Sequence, residues 1–214
     1  MTCHDFSGRV TWYVSFRVRK DLNGHPNVVE FYEAFFERVM SCMTLTIVME
    51  LCWKSLFSYL NHYRRVADPE IVFWTRCLCK ALLHAHAKNI CHRDVKPDNC
   101  LLQYVSGSPG YLTLKLCDFG ASAILVAAEE KGKRRHLKTP QRLRTTFAYA
   151  PPEVLQKRSY SFSCDMWGVG IILHEMMQEN LVLSACDWRE KDRPLDIFNK
   201  LRPLIRSVKD RAAT

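Results

Sequence analysis

The sequence predicts an α+β fold in which a short β-rich segment leads into a larger, mainly helical body. Three observations carry this expectation. Two neighbouring runs rich in Val, Ile and aromatic residues, 27–36 and 44–51, have the composition of strands. Two later stretches, 68–88 and 165–178, have the apolar patterning of helices. Between those helices, two short apolar segments, 100–102 and 112–116, flank the turn signal Ser106-Gly107-Ser108-Pro109-Gly110, which predicts a hairpin.

Taken in order, residues 10–19 alternate loosely and fit either strand or helix. The two strands follow, and 55–63 reads as a short helix. The next helix is better marked. Asp68 can cap it, Pro69 suits the first helical position, and Glu70 favours the positive end of the helix dipole. Ile71, Trp74, Leu78, Leu82 and Ala85 then form its apolar stripe, and the helix should run to about Lys88. After the hairpin, 121–152 is polar, basic and loop-like. The segment 165–178 is apolar nearly all round, which predicts a buried helix. A last helix is expected over 194–208, with Ile197, Leu201, Leu204 and Ile205 on one face.

Composition narrows the function classes. The 214 residues suffice for one sizeable domain or a domain with a small satellite. With 48% hydrophobic and 25% charged residues, the chain reads as an ordinary globular protein. No apolar run approaches the ~18–20 residues that cross a bilayer. The first residues, Met1 to Ser7, lack the basic start and apolar stretch of a secretory leader, so the expected compartment is the cytoplasm, with no membrane partner. Ten scattered cysteines do not suggest a disulfide framework. Cys77-x-Cys79, His84-x-His86 and Cys91-His92 raise the question of zinc. Residues two apart on a helix diverge by about 200°, so these pairs do not converge on one metal, and buried structural thiols are the preferred reading. The net charge of +9 owes much to the run 131–138, with Arg142 and Arg144 beyond it. That run could touch nucleic acid or a nuclear import receptor, which would place the chain in the nucleus. It carries no interleaved aromatics to stack bases, and a solvated basic loop is the preferred reading.

The chemistry-bearing residues gather around the hairpin. His92-Arg93-Asp94 precedes it, Lys96 and Asn99 open it, and Asp118-Phe119-Gly120 closes it. A hairpin returns its ends to one place, so Asp94, Lys96, Asn99 and Asp118 are expected to converge. Two carboxylates, an amide and an ammonium suit a magnesium–phosphate site: magnesium takes hard oxygen ligands and phosphate takes cationic partners.

The order and spacing of these residues resemble the signature of the eukaryotic-type serine/threonine protein kinases, with His-Arg-Asp, an Asn five residues after the Asp, and Asp-Phe-Gly beyond a hairpin. The resemblance spans about residues 22–206. His25-Pro26-Asn27-Val28-Val29 resembles the lead-in to the fourth strand of that family's small lobe, and Ile47 to Cys52 its fifth strand and hinge. Thr146 to Glu153 resembles the end of the activation segment, Asp165-Met166-Trp167-Gly168 the start of a buried helix, and Lys191-Asp192-Arg193-Pro194 the late Arg-Pro element.

The resemblance implies a kinase-like fold: a truncated small lobe and hinge lead-in over 1–51, and a larger lobe with catalytic loop and activation segment over 52–214. It implies ATP and Mg2+ as cofactors and a protein offering Ser or Thr as substrate. Asp94 would orient the substrate hydroxyl and accept its proton. Lys96, within Lys-Pro-Asp-Asn, would meet the γ-phosphate, as in the serine/threonine branch. Asn99 and Asp118 would hold magnesium. Met49 would stand beside the adenine pocket, with Glu50 to Cys52 offering backbone groups to adenine. His92, Phe119, Gly120 and Asp165 would be structural, and Arg193 would pair with Glu153. Arg93 could pair with a phosphate on the activation loop, at Thr139, Thr145 or Thr146. For Thr146 the preferred alternative is an unmodified hydroxyl touching Asp94 and Lys96.

The sequence also departs from that pattern. Nothing in it resembles the glycine-rich loop or the strand lysine, and Ser15 or Phe16 falls where the lysine's partner glutamate belongs. About fourteen residues separate the helix ending near Gln178 from Asp192, where the family places a further helix. Ala-Pro-Glu reads Pro151-Pro152-Glu153, and Trp-Ser reads Trp167-Gly168. A shortened kinase is therefore expected, with a sheet edge that a partner could cover. The alternative is a pseudokinase or regulatory binding module without phosphotransfer.

Overall fold

The computed structural model describes residues 18, 20–39, 42–63, 65–108, 110–125, 146, 149–155 and 161–178. The basic run 131–138, Thr139, Thr145, Arg193 and the helix expected over 194–208 lie outside the described residues. Of the ambiguous segment 10–19, only Val18 is described, and it is helical together with 20–22.

Strands β1 (Phe31–Val39) and β2 (Cys42–Met49) form an antiparallel pair from Phe31↔Met49 to Val39↔Cys42. A register shift between Phe31 and Glu33 leaves Tyr32 as the extra residue. Both strands are displaced from the expected bounds. The first begins four residues late because 27–29 is committed elsewhere. Val29 N–H donates to Leu116 O (3.0 Å), Leu116 N–H donates to Asn27 O (2.8 Å), and Asn27 Nδ2 donates to Leu114 O (2.9 Å). The Val- and Asn-containing run thus splits between two sheets, a division that strand propensity cannot show.

The hairpin of the larger body exists, with β5 (Cys100–Tyr104) paired to β6 (Leu112–Leu116) from Cys100↔Leu116 to Tyr104↔Leu112. A third strand, β3 (Lys54–Ser55), extends it on the β5 side; the sequence did not announce this two-residue strand. Helix α1 (Leu56–Tyr63) follows directly, its first turn closed by Ser58 N–H donating to Ser55 Oγ (3.1 Å).

Helix α2 (Asp68–Ala87) is the expected long helix, displaced by one position at its start. Asp68 is the first helical residue, and the capping position belongs to Ala67, in extended conformation. Glu70 supplies the side-chain half of a capping box instead: its carboxylate accepts the Ala67 N–H (3.3 Å). Ile71, Trp74, Leu78, Leu82 and Ala85 are all buried, as the stripe predicts. Trp74 meets Tyr59 edge-on and donates its Nε1–H to Leu112 O (3.0 Å), so a fully buried indole has its polar atom satisfied.

Two short strands, β4 (Ile90–Cys91) and β7 (Ala123–Ile124), pair on either side of the hairpin; β7 lies inside the stretch 121–152 that the sequence presents as loop. Helix α3 (Pro152–Leu155) begins at the last residue of that stretch. Helix α4 (Ser163–Gln178) begins two residues before its expected start and is not buried all round. Asp165, Ile172, Glu175 and Met176 face inward, whereas Met166 and Met177 are exposed. The main core joins α1, α2, β5, β6 and the inner face of α4; a smaller cluster joins Cys91, Leu125, Tyr149, Leu155 and Cys164. Among the described residues, no helix is long and apolar enough to cross a membrane.

Candidate functional site

The site is built on the loop between β4 and β5, and α4 holds that loop from below. Asp165 is fully buried, and its carboxylate accepts the backbone N–H groups of His92 (2.8 Å) and Arg93 (2.7 Å). His86 Nε2 meets the same carboxylate at 2.8 Å. Burial alone would raise the Asp165 pKa. The His86 contact, the nearby His92 and the two amides outweigh it and hold the carboxyl below its ordinary value. These bonds secure a strained turn, because Arg93 has φ 71°, a conformation that side-chain-bearing residues rarely adopt.

The ring of His92 bridges loop and hairpin. Its Nε2–H donates to Cys117 O (2.9 Å), and Nδ1 accepts the Asp94 N–H (3.2 Å), which sets the tautomer. The ring also packs edge-on against buried Phe119, with centroids 4.7 Å apart. Cys117 N–H donates to Asn99 O (2.9 Å), so the two ends of the hairpin are bonded where Asn99 leaves and Asp118 arrives. Asp118 is exposed, with φ 55°, and its Oδ1 accepts Gly120 N–H (3.0 Å).

Asp94 is the hub. Its Oδ2 meets Lys96 Nζ at 2.9 Å and accepts from Asn99 Nδ2 at 3.2 Å; its Oδ1 accepts the Thr146 N–H at 2.9 Å. Lys96 Nζ also donates to Thr146 Oγ1 (2.7 Å). Of the two contacts expected of an unmodified Thr146 hydroxyl, the one to Lys96 is present; Asp94 is met instead by the Thr146 backbone N–H. Asn99 Nδ2 additionally donates to Asp94 O (2.8 Å). With its nitrogen turned to Asp94, Asn99 presents its Oδ1 on the other side. An amide oxygen and the Asp118 carboxylate, on residues that flank the two bonded ends of the hairpin, are hard oxygen donors of the type magnesium takes, so these residues fit that ion.

Other expected site residues take different parts. The Arg93 guanidinium donates to the carbonyls of Ala121 and Ser122, securing the chain just after Phe119 and Gly120. Met49 ends β2 opposite Phe31. Glu50 N–H donates to Glu30 O (2.8 Å), so of its backbone groups only the carbonyl remains to offer adenine. The Cys52 thiol is half-buried, and burial, then the Glu50 carboxylate, pushes its pKa up. Glu153 lies at the start of α3; its expected partner Arg193 is outside the described residues.

Several contributors escaped sequence reasoning. Tyr149 OH donates to buried Glu175 (3.2 Å), and burial, followed by that carboxylate, raises the phenol's pKa. Lys115 pairs with Glu50. The Cys91 and Cys164 thiols lie 3.3 Å apart beside Asp165; their mutual bond, then burial, keeps Cys91 strongly protonated. No one-dimensional spacing links any of these pairs.

Gly168 marks where α4 touches the loop between β4 and β5. A Cβ there would lie 2.6 Å from Val95 O and 2.7 Å from Val95 Cβ. Gly168→Ser is expected to cost about 1–3 kcal/mol through overpacking, more than the ~0.5 kcal/mol that leaving glycine gains in a helix. Thermal denaturation checks this: a lower midpoint is expected, and an unchanged or higher one contradicts the close approach.

Comparison with known proteins follows the same residues. The family described as a protein kinase domain matches residues 14–208. The chain is 34% identical over 154 residues to the mouse serine/threonine-protein kinase DCLK3, covering 72% of this chain and 17% of that protein. It is 31% identical over 183 residues to Arabidopsis thaliana serine/threonine-protein kinase SRK2F, covering 85% of this chain and 46% of that protein. Against Dictyostelium discoideum serine/threonine-protein kinase atg1 it is 29% identical over 180 residues, with 81% and 24% covered. The chain thus spans less than half the length of each of these relatives.

Proposed function

The chain belongs to the protein kinase family, with that family's α+β fold, and from this premise we propose that it transfers the γ-phosphoryl group of ATP to serine or threonine hydroxyls of protein substrates. The observation that supports the reading best is the closed set Asp94–Lys96–Asn99–Thr146 at the base of the hairpin that delivers Asp118.

In this reading the substrate hydroxyl approaches Asp94 and attacks the γ-phosphorus, its proton passes to the Asp94 carboxylate, and ADP leaves. Lys96 contributes a cation that shifts from Asp94 toward the transferred phosphoryl oxygens. Thr146 keeps Lys96 and Asp94 aimed at one point, and Asp165 keeps the loop that carries them rigid. Asn99 and Asp118 would hold Mg2+, which when bound neutralises charge on the phosphates. Catalysis is then chiefly positioning and charge stabilisation. Arg93, bonded to Ala121 and Ser122, acts on the activation segment through its backbone; phosphate at Thr139 or Thr145 would be a further ligand for the same guanidinium.

The test is Mg-ATP thermal shift together with phosphate incorporation into a mixed peptide library containing Ser, Thr and Tyr acceptors. A rise in the unfolding midpoint and label on Ser and Thr are expected. A chain that neither gains stability from Mg-ATP nor labels any acceptor is a non-catalytic binding module of the same family.

A further inference from the structure

We infer that Lys115 is a positioning residue for the nucleotide end of the site, acting through Glu50; the inference rests on the kinase reading above and deepens it. Lys115 lies in β6 between Leu114 and Leu116, both fully buried, so its backbone is fixed by the core. Its Nζ reaches across to both oxygens of Glu50, at 2.6 and 2.7 Å, and the two side chains are only 16% and 17% exposed. The Glu50 carboxylate accepts a third bond, from the Glu30 N–H (3.1 Å), while Glu50 N–H donates to Glu30 O (2.8 Å). The ion pair and the bonds between Glu50 and Glu30 therefore tie together three segments: the residues after β2, the segment leading into β1, and the strand that ends just before Asp118.

The geometry has a direct consequence for a ligand spanning these parts. The residues proposed to meet adenine, 50–52, follow β2, whereas those proposed to hold the phosphates, Asn99 and Asp118, flank the β5–β6 hairpin. Among the described residues the β1–β2 pair shares no ladder with the β3–β5–β6 sheet; besides the short link 50–53, whose Trp53 N–H donates to Leu102 O, the two are joined through the Val28–Leu116 bridge, its flanking bonds and the Lys115–Glu50 pair. This ion pair is doubly bonded and largely shielded from water, so it links residue 50 directly to the strand that leads to Asp118. Removing the ammonium leaves a part-buried carboxylate without its countercharge, and residue 50 is expected to move toward water. Such a shift loosens the adenine end while leaving Asp94, Lys96 and Thr146 in place, which is how an indirect positioning residue differs from a catalytic one.

The experiment compares the full chain with Lys115→Met, Lys115→Arg and the swapped pair Glu50→Lys/Lys115→Glu. Titration with Mg-ATP is expected to give roughly a tenfold weaker Kd for Lys115→Met, a matching rise in KM for ATP and a kcat within about threefold of the parent. Lys115→Arg should recover most of the affinity, and the swapped pair more than Lys115→Met does. Hydrogen exchange without nucleotide provides the independent readout: the amides of Glu30 and Glu50 should exchange faster in Lys115→Met, and that of Cys117 should not. Unchanged exchange at Glu30 and Glu50 overturns the proposal whether or not the parent binds ATP. Faster exchange there with an unchanged Kd overturns the positioning role. If the parent itself binds no Mg-ATP, the kinase reading fails, and faster exchange confined to Glu30 and Glu50 then supports the link by itself. Should Lys115→Met not fold, the arginine variant and the swapped pair carry the same comparison.

Discussion

Asp94→Asn is expected to lower Mg-ATP-dependent phosphate transfer by about 10²–10⁴-fold, the range that a positioned general base contributes. The magnitude follows from how completely the carboxylate is used. Oδ1 accepts from Thr146 N–H, and Oδ2 faces Lys96 and Asn99 Nδ2, so every neighbour is a donor aimed at an acceptor. An asparagine amide must turn its NH2 toward one of these donors. It also offers no site for the hydroxyl proton, and it leaves Lys96 without the anion that holds it. The nucleotide end is untouched by the change, so the Mg-ATP thermal shift should persist. Steady-state kinetics beside that thermal shift provide the check. A variant retaining more than about a third of the parent rate would remove Asp94 from the proposed role.

The second large effect is on stability. Asp165→Asn is expected to destabilise the chain by about 3–5 kcal/mol, because one buried anion satisfies the His92 and Arg93 amides and the His86 ring together. An asparagine can accept through one atom only, and its NH2 would confront a backbone N–H. For a chain of this length, ~2–4 °C per kcal/mol converts the loss to a fall of about 6–20 °C in the unfolding midpoint. The pH dependence has a definite sign. The folded Asp165 carboxyl has a lowered pKa, so the unfolded chain binds the proton more readily. Its contribution is complete above the ordinary Asp value of about 3.9 and is lost as pH falls through the folded value. The variant should therefore show less destabilisation relative to the parent at acid pH than at neutral pH. Chemical denaturation at two pH values reads this, and an equal difference at both would count against a buried anion at this position.

Particular residues show how far the sequence carried this reading. The stripe Ile71, Trp74, Leu78, Leu82 and Ala85 is a local, periodic signal, and all five are buried in one helix. The cap of that helix was misplaced because Asp68 and Pro69 suit either of two adjacent positions. Glu70 decided between them by reaching back to the Ala67 amide, a contact that composition does not rank. The run 27–36 has strand character throughout, yet 27–29 bonds to β6 and only 31 onward pairs with β2. Pairing partners, not propensity, set that boundary.

The sequence by itself determined the family and the two ends of the hairpin. His92-Arg93-Asp94, Lys96, Asn99 and Asp118 are close in the chain or joined by one local turn, so bringing Asp94, Lys96 and Asn99 into contact and Asp118 to the bonded end of the hairpin needs little beyond the hairpin. Only the tertiary structure decided what holds those ends in place. Asp165 is 72 residues from Arg93, Thr146 is 50 from Lys96, and Lys115 is 65 from Glu50. Each of these bonds spans a long stretch of chain whose closure is governed by core packing. Single carboxylates, hydroxyls and lysines look alike in a sequence until burial removes the water that would otherwise satisfy them.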